Sequence, residues 1–407
     1  MSEVVSLFKQ GIKFLLTAIS SIVIFALLYI NIKLYDGPVI DPIAAASVIK
    51  QLRYFERAID TGAAHEMQNM YPEGYVFMHA LYGLTWADFA LNHPHDTLKR
   101  KAIEEIKTSW TAINSTDGKM PFDEMLPIRY GAFYTGWNNY LLGKLIQLTG
   151  KERADTVHVI AFKKACSEIA YVMNKELFPE SYDGMRWPAD GIIALASLSL
   201  HDKIFTPAYS ATLSRWVNSV RRNVGTGGLI PHRTDANENA IERARGSSQS
   251  LILNFLVEID SSFAKEQFES FERLFLDQHF GLPFIREYPR GMAGEGDIDS
   301  GPVIWNIGSS ATIVGARTLF IYGKSKEAQS ISACIEAFGF PSTTPKAKHY
   351  LFEQLIIADA FIAWTNSVID VKNPSSFIFF HLYTALFVLI LALFTGWVWR
   401  RRLATNS

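Results

Sequence analysis

The segment 286–302 concentrates the side chains that could do chemistry. It reads Arg-Glu-Tyr-Pro-Arg-Gly-Met-Ala-Gly-Glu-Gly-Asp-Ile-Asp-Ser-Gly-Pro and holds six charged residues among four glycines and two prolines. A loop that only joins two helices needs a few residues. Convergent charges on a glycine-rich loop before a rigid helix are typical of a functional site. We therefore predict catalytic carboxylates at Asp297 and Asp299, with Arg286 and Glu287 as substrate contacts.

Two further carboxylates precede or open apolar helical stretches. Glu73 lies in the sequence Tyr-Pro-Glu-Gly-Tyr, and Asp190 follows Trp-Pro-Ala. Two carboxyl groups on either side of a sugar's glycosidic bond can act as acid and as base or nucleophile. We predict Glu73 as the general acid and Asp190 as its partner, with Asp297 or Asp299 in reserve. Each could instead cap a helix, and Pro302 favours that reading for Asp299.

Aromatic and basic residues of the same loops are candidates for substrate binding. Tyr and Trp can stack on a sugar or line an apolar pocket, although they can also be core residues. The sequence Arg-Gly-Ser-Ser-Gln at 245–249 could bind an anion, or could be a turn paired with the acidic loop. A histidine here could be a general base or lie in a surface turn. The candidates are Tyr75, Arg129, Tyr134, Trp137, Trp187, His232, Arg245, Gln249, Arg286, Glu287 and Trp305.

No metal or cofactor is predicted. The alternating oxygens of 295–301 could hold calcium, but the twelve-residue loop of an EF-hand is absent, and no Cys/His spacing suggests zinc. Cys166 and Cys334 are the only cysteines. They could pair in an oxidising compartment, but two separately buried thiols are the favoured interpretation.

The elements that must position these residues are helical, and no run of alternating strands is apparent. Amphipathic stretches alternate with stretches that are apolar nearly all round, as expected of outer and buried helices. The apolar ones begin near residues 74, 131, 190, 247, 302 and 350, a repeat typical of stacked hairpins. Six hairpins predict an all-α, closed (α/α)6 toroid, with an open solenoid as the alternative. The loops before the inner helices would then share one rim, where Arg129, Arg245 and His349 join Glu73, Asp190 and Asp299.

The two ends of the chain predict membrane anchors. Residues 14–32 and 377–399 are apolar runs long enough to cross a bilayer, although a cleaved signal peptide is an alternative for the first. Arg400, Arg401 and Arg402 predict a cytoplasmic C-terminus. We divide the chain into an anchor at 1–33, a toroid at 34–375 and a second anchor at 376–407, with both termini cytoplasmic and the toroid periplasmic or extracellular. The net charge of −1 argues against a nucleic-acid partner.

Part of the chain resembles a known family. The sequence Tyr-Thr-Gly-Trp-Asn-Asn-Tyr-Leu-Leu-Gly at 134–143, the segments 187–200 and 262–318, and Arg-Glu-Tyr at 286–288 are similar to the linalool dehydratase/isomerase-like domain. The resemblance covers residues 120–365 and implies an (α/α)6 toroid. The family's best-known activity uses cysteines near the third inner helix, where this chain has Ala189 and Asp190, and Trp137 replaces a family histidine. Residues 71–75 are also similar to a Glu-Gly loop in a group of glycoside hydrolases with this superfold.

Three functions are open. The first is an enzyme that acts on a glycan or sugar, for which an open cleft with carboxylates roughly 5–10 Å apart is expected. The second is a dehydratase- or isomerase-like lyase on an apolar alcohol or lipid, with Asp190 as proton shuttle and a closed apolar pocket. The third is a non-catalytic binding or assembly component of an envelope complex, with a filled mouth and acids paired to arginines. The sequence does not specify an oligomeric state.

Overall fold

The computed structural model describes residues 2–35, 42–224, 227–298, 300–369 and 376–400. Asp299, Arg401 and Arg402 lie outside the described residues. In chain order, the helices are α1 (Ser2–Tyr35), α2 (Pro42–Asp60), α3 (Ala63–Met70), α4 (Gly74–Asn92), α5 (Asp96–Ile113), α6 (Thr116–Lys119), α7 (Gly131–Thr149), α8 (Thr156–Met173), α9 (Pro188–Ile204), α10 (Ser210–Asn223), α11 (Gly246–Ile259), α12 (Ser261–Phe275), α13 (Ser309–Ile321), α14 (Ser325–Phe338), α15 (Ile356–Asn366) and α16 (Ile378–Arg400).

Four two-stranded antiparallel sheets lie in the loops of the described residues. The pairs are β1 (Arg233–Thr234) with β2 (Ala240–Glu242), β3 (Leu276–His279) with β4 (Leu282–Ile285), β5 (Val303–Ile304) with β6 (Ile307–Gly308), and β7 (Ser342–Thr343) with β8 (Lys348–His349). A 3-10 turn covers Leu351–Glu353. These strands are only two to four residues long, and the fold is dominated by helices, as the all-α prediction expects.

The inner helices form a closed ring. Helices α4, α7, α9, α11, α13 and α15 each contact the next one in this order, and α15 contacts α4. The outer helices pack on this ring, with α2 on α4 and α15, α5 on α4 and α7, α8 on α7 and α9, α10 on α9, α12 on α11, and α14 on α13. The fold is an (α/α)6 toroid, and the closed arrangement is confirmed over the open solenoid.

The inner helices are buried because their residues are apolar or small on every side. Nearly all of α4 is buried, from Gly74 to Ala90. Gly136 of α7 lies so close to α9 that a Cβ there would meet Ala194 N at 3.1 Å and Asp190 O at 3.2 Å. A glycine at this position allows two inner helices to approach backbone to backbone.

Aromatic rings fill the axis of the toroid. Trp137 is fully buried, and its ring lies edge-on to Phe255 at 5.7 Å and to Trp364 at 6.2 Å. Phe77 contacts Trp137 at 5.3 Å and Phe361 at 5.5 Å. The interior is therefore a packed core rather than a channel.

Two expected helix starts were wrong for a common reason. Helix α13 begins at Ser309 instead of Pro302, because residues 303–308 form a hairpin whose turn residues Trp305 and Asn306 have φ of 52° and 68°. Helix α15 begins at Ile356 instead of Tyr350, after strand β8 and the 3-10 turn. Pro302 is thus no first-turn proline, so the argument for a cap at Asp299 does not hold.

The terminal helices form an antiparallel pair. Trp399 Nε1 donates to Thr17 Oγ1 at 2.9 Å near one end, and His381 Nδ1 lies 2.7 Å from Asn31 Oδ1 near the other. The segments Gln10–Tyr35 and Ile378–Arg400 are long and apolar enough to cross a membrane, as the sequence predicts. Near the toroid, Ile30 and Leu34 pack against the end of α14.

Candidate active site at the rim of the toroid

The loops before the inner helices meet at one end of the toroid, which we call the rim. The Tyr182 hydroxyl, before α9, donates to Glu73 Oε1 at the start of α4. Arg186 forms a β-bridge with Thr234 of β1, and the Gly246 amide at the start of α11 donates to Glu287 O, in the loop before α13, at 2.8 Å. These contacts connect the loops that the sequence expected to share one opening.

Glu73 and Asp190 bind neighbouring residues of one loop. The carboxylate of Glu73 makes no cap to α4, although Glu73 is the N-cap residue. It accepts a hydrogen bond from Tyr182 instead. Asp190 lies in the first turn of α9 and accepts from Ser181 Oγ at 2.6 Å. Both residues are half-buried.

A second group surrounds Arg245, immediately before α11. We call His232, Arg245, Ser247, Ser248, Glu287 and Asp297 the Arg245 cluster. Arg245 Nε donates to Glu287 Oε1 at 2.9 Å, and Nη1 donates to Asp297 Oδ2. The Arg245 side chain is 7% exposed, and its Nη2 has no hydrogen-bond partner among the described atoms.

Glu287 holds this cluster together from inside. Its side chain is 0% exposed, and it accepts from the Ser247 amide at 3.2 Å and from Ser247 Oγ at 2.7 Å. The amide contact caps the N-terminus of α11 from another element. Burial raises the pKa of Glu287, while Ser247 and Arg245 act in the opposite direction.

Asp297 is the accessible carboxylate of the cluster, with a side chain that is 45% exposed. Its Oδ1 accepts from the Ser300 amide at 2.9 Å. Partial burial acts to raise the pKa of Asp297, but the hydrogen bonds from Arg245 and Ser300 outweigh this and lower it to about 2. Asp297 is therefore ionised and held in one orientation at neutral pH.

His232 is the neutral member of the cluster. Its Nδ1 is hydrogen-bonded to Ser248 Oγ, and its Nε2 lies 3.5 Å from Arg245 Nη1. Burial, followed by the charge of Arg245, lowers the pKa of His232 to about 4. The imidazole is consequently uncharged at neutral pH.

The structure places the remaining candidates in different environments. Four of them are buried: Tyr75, Tyr134, Trp137 and Gln249. Arg129 forms an exposed ion pair with Glu124, and Arg286 binds Asp277. Trp187 is half-buried against Tyr182, and Trp305 is 72% exposed. Gln249 Nε2 donates to Ile230 O at 2.8 Å, so its amide holds the loop before β1. Trp137 belongs to the aromatic core and reaches no surface.

Sequence reasoning did not select several residues of the site. Ser247 and Ser248 lie in the 245–249 segment, and their hydroxyl groups could have been noticed there. No signal in the sequence marked Tyr182 or Glu242. Only folding brings Tyr182 to Glu73. Folding likewise brings Glu242 to within 2.9 Å of Arg233 Nε.

A cavity of about 180 Å³ lies at the opposite end of the ring. It is lined by Asp88, Tyr140, Lys144, Asn254, Glu258 and Arg317, among others. Arg317 Nη2 donates to Asp88 Oδ2 at 2.7 Å, and Lys203 donates to Glu258 at 3.0 Å. The aromatic core separates this cavity from the rim.

The cysteines and the possible metal ligands lie apart from the groups described above. Both thiols are free, and burial raises the pKa of Cys166 and of Cys334 to about 12. Within the described ranges, no group of three or more His, Cys, Asp or Glu side chains could hold a metal ion.

The fold and the rim define the chain as a helical toroid with two membrane-length terminal helices. No family model matches the sequence, and a search of curated proteins found no match. Seven chains of known structure are similar. One is the crystal structure of an unsaturated glucuronyl hydrolase specific for heparin, with 12% identity and a TM-score of 0.46 over 73% of this chain and 88% of that one. The toroid assignment rests on this chain's own ring of helix contacts.

Proposed function

We propose that this protein is a membrane-anchored enzyme that acts on a sugar or glycan by carboxylate acid–base chemistry at the rim. The observation that carries the proposal is Asp297, an ionised and half-exposed carboxylate fixed by Arg245 and Ser300. A catalytic base or nucleophile needs this combination of charge, orientation and access.

The charge of the Arg245 cluster supports the same reaction. One guanidinium contacts two carboxylates, so the cluster is negative in total whenever Glu287 and Asp297 are both ionised. Glycoside hydrolysis passes through a transition state like an oxocarbenium ion, and a negative site stabilises the positive charge that develops. An acidic substituent would gain little at Arg245, because the charge of this arginine is already balanced.

The proton donor we propose is Glu73, with Asp190 as an additional partner on the neighbouring loop. Tyr182 fixes the carboxyl group of Glu73, and Ser181 fixes that of Asp190. In this proposal, Asp297 faces the sugar's anomeric carbon, and Arg245 and Glu287 act only to position Asp297. Trp187 offers a ring face for a sugar at the rim.

The test is turnover of a panel of chromogenic glycosides and extracted envelope glycans by the full-length protein in detergent. Once a substrate is found, Asp297→Asn and Glu73→Gln should each lower kcat by about 100-fold or more, the usual contribution of a general acid or base. Glu295→Gln is the matched control, because this exposed acid lies two residues from Asp297 in the same loop. Unchanged kcat in both amide variants would refute the assignment.

We also propose that both termini are cytoplasmic and that the toroid is periplasmic or extracellular. The support is the pair of apolar helices and the basic residues that follow the second one. Reporter fusions at both termini, one active only in the cytoplasm and one active only outside it, test this topology. Activity of the external reporter at either terminus would contradict it.

A non-catalytic glycan-binding role is the second candidate. The observation that favours it is the filled axis around Trp137, together with acids that are paired to Arg245 and Arg286. Binding of a glycan by calorimetry, without turnover of any panel member, would support this role. The resemblance to the linalool dehydratase/isomerase-like domain remains a proposal, and it does not include the family's cysteine chemistry, because Ala189 and Asp190 stand where the family has cysteines.

A further inference from the structure

Large apolar side chains are exposed mainly at the rim. Outside α1 and α16, those in the rim loops include Met125, Met185, Phe280, Trp305, Phe352 and Leu355. The opposite end exposes Leu91, Val157 and Ile160. Soluble surfaces rarely gather apolar side chains on one face, and such a face usually marks an interaction site.

The two terminal helices leave the toroid beside this same rim. Phe340, in the loop after α14, stacks on Tyr29 of α1 with ring centroids 5.4 Å apart. The tip of the β3–β4 hairpin lies against α16, where Phe280 contacts Tyr383 at 5.7 Å. Both loops precede inner helices, so rim loops flank the helix pair on two sides.

Both contacts involve residues that lie inside the apolar runs of the terminal helices. Tyr383 lies six residues inside the apolar run that starts at residue 377, which is about 9 Å at 1.5 Å per residue. Tyr29 lies three residues inside the run that ends at residue 32, or about 4.5 Å. Phe280 and Phe340 therefore lie at the same depth as residues inside the two apolar runs, and not at the level where those runs end.

The exposed residues next to these two phenylalanines continue the same surface. Trp305 is joined to the β3–β4 hairpin, because its carbonyl oxygen lies 2.9 Å from His279 Nε2. Phe352 stacks on Phe340 at 5.9 Å and is 70% exposed. Aromatic side chains of this kind favour the interfacial region of a bilayer.

We infer that the rim rests on the membrane that the two helices cross, with its apolar side chains in the interfacial layer. The bilayer is the occupant because the rim surface is continuous with the helices that span it. The candidate active site then opens towards the membrane, and its substrate is the sugar headgroup of a membrane amphiphile. The orientation rests on the proposed anchoring, and the substrate class rests on the proposed function.

The experiment measures depth and needs no substrate. Single cysteines replace Trp305, Phe352, Met125 or Val157 in the full-length Cys334→Ala protein, in which Cys166 is fully buried. Each carries an environment-sensitive fluorophore, and the protein is placed in phosphatidylcholine nanodiscs with or without nitroxide-labelled lipid. Nitroxide lipid should quench the probes at 305, 352 and 125 and leave the probe at 157 unchanged.

Three outcomes would overturn the inference. Equal emission at all four positions would show a rim in water. Quenching at 305 and 352 but not at 125 would show a toroid that touches the bilayer on one side only. Shielded probes that nitroxide lipid does not quench would show a protein contact, such as a second copy. A measurement without cysteine variants uses acyl-brominated lipid, which should quench less tryptophan emission in Trp305→Phe than in the unmodified chain.

The depth assay tests the orientation at the membrane, and the activity assay tests the proposed enzyme, so each can give a negative result without the other. Quenching at the rim without turnover would retain the orientation and reject the enzyme. Turnover of soluble glycans without quenching would retain the enzyme and reject the orientation.

Discussion

The contact between Arg245 and Glu287 yields the sharpest prediction about stability. The two side chains are 7% and 0% exposed, and they lie 2.9 Å apart. Replacing Arg245 by Met keeps most of its volume but leaves a buried carboxylate without its cation. Loss of one partner of a buried pair costs about 3–5 kcal/mol. For a domain of this size, each kcal/mol lowers Tm by about 1.5 °C, so Tm should fall by about 4–8 °C.

The assay is thermal unfolding of the full-length protein in detergent, followed by tryptophan emission. The double variant Arg245→Met/Glu287→Met should recover most of the loss, because two apolar side chains replace the pair. It should remain about 1 kcal/mol below the native protein, since Glu287 also caps α11 through the Ser247 amide.

The matched control is Arg129→Met, which removes an arginine from an ion pair whose two side chains are more than half exposed. Exposed pairs contribute less than about 1 kcal/mol, so Tm should move little. A fall of the same small size in Arg245→Met would refute the reasoning, and so would a double variant less stable than either single one.

Three further predictions concern pH, packing and thiol reactivity. Asp297 has a pKa of about 2 in the fold against 3.8 ordinarily, so its stabilising effect is present above pH 3.8 and is lost as pH falls through 2. After screening by solvent, this effect is about 1 kcal/mol or less. The stability difference between the native protein and Asp297→Asn should therefore vanish at the acidic end of a pH series. Gly136→Ala should lower the free energy of unfolding by about 1–3 kcal/mol, because its Cβ would meet the α9 backbone at 3.1 Å. The control is Gly396→Ala, where nothing lies within 4 Å of the added Cβ. Equal Tm values for the two variants would contradict the close approach of α7 and α9. Cys166 and Cys334, with pKa values of about 12, should resist iodoacetamide at pH 8 in the native protein and react after unfolding, which mass spectrometry can follow; rapid native alkylation of Cys166 would show that α8 opens.

The sequence predicted the helical hairpins well because their signal is local. Buried helices that are apolar all round alternate with amphipathic outer ones, and Gly74 and Gly131 mark starts that the structure reproduces. The starts of α13 and α15 were predicted too early, because short strands pair in the loops before them. The pattern continues helically to His279, but residues 276–279 pair with 282–285 as strands.

The candidate site was predicted only as a region. The charges of 286–302 selected this loop as a candidate, yet nothing in their spacing showed that Glu287 faces inwards and caps α11 while Asp297 faces outwards. Arg286 has the same charge as Arg245, but it binds Asp277 within its own loop. Partner choice among equal charges depends on distances across the fold, which sequence spacing does not encode.

By itself, the sequence determined the periodic part of this protein: two apolar ends of membrane length, and six helical hairpins with glycines where helices touch. Hydrophobic periodicity and length suffice for these, because each is decided within a few turns of chain. Only the tertiary structure decided that the axis is packed with aromatic rings, that one arginine binds two distant carboxylates, and that exposed apolar side chains gather beside the terminal helices. Those features join residues far apart in the chain, so they exist only once the ring has closed.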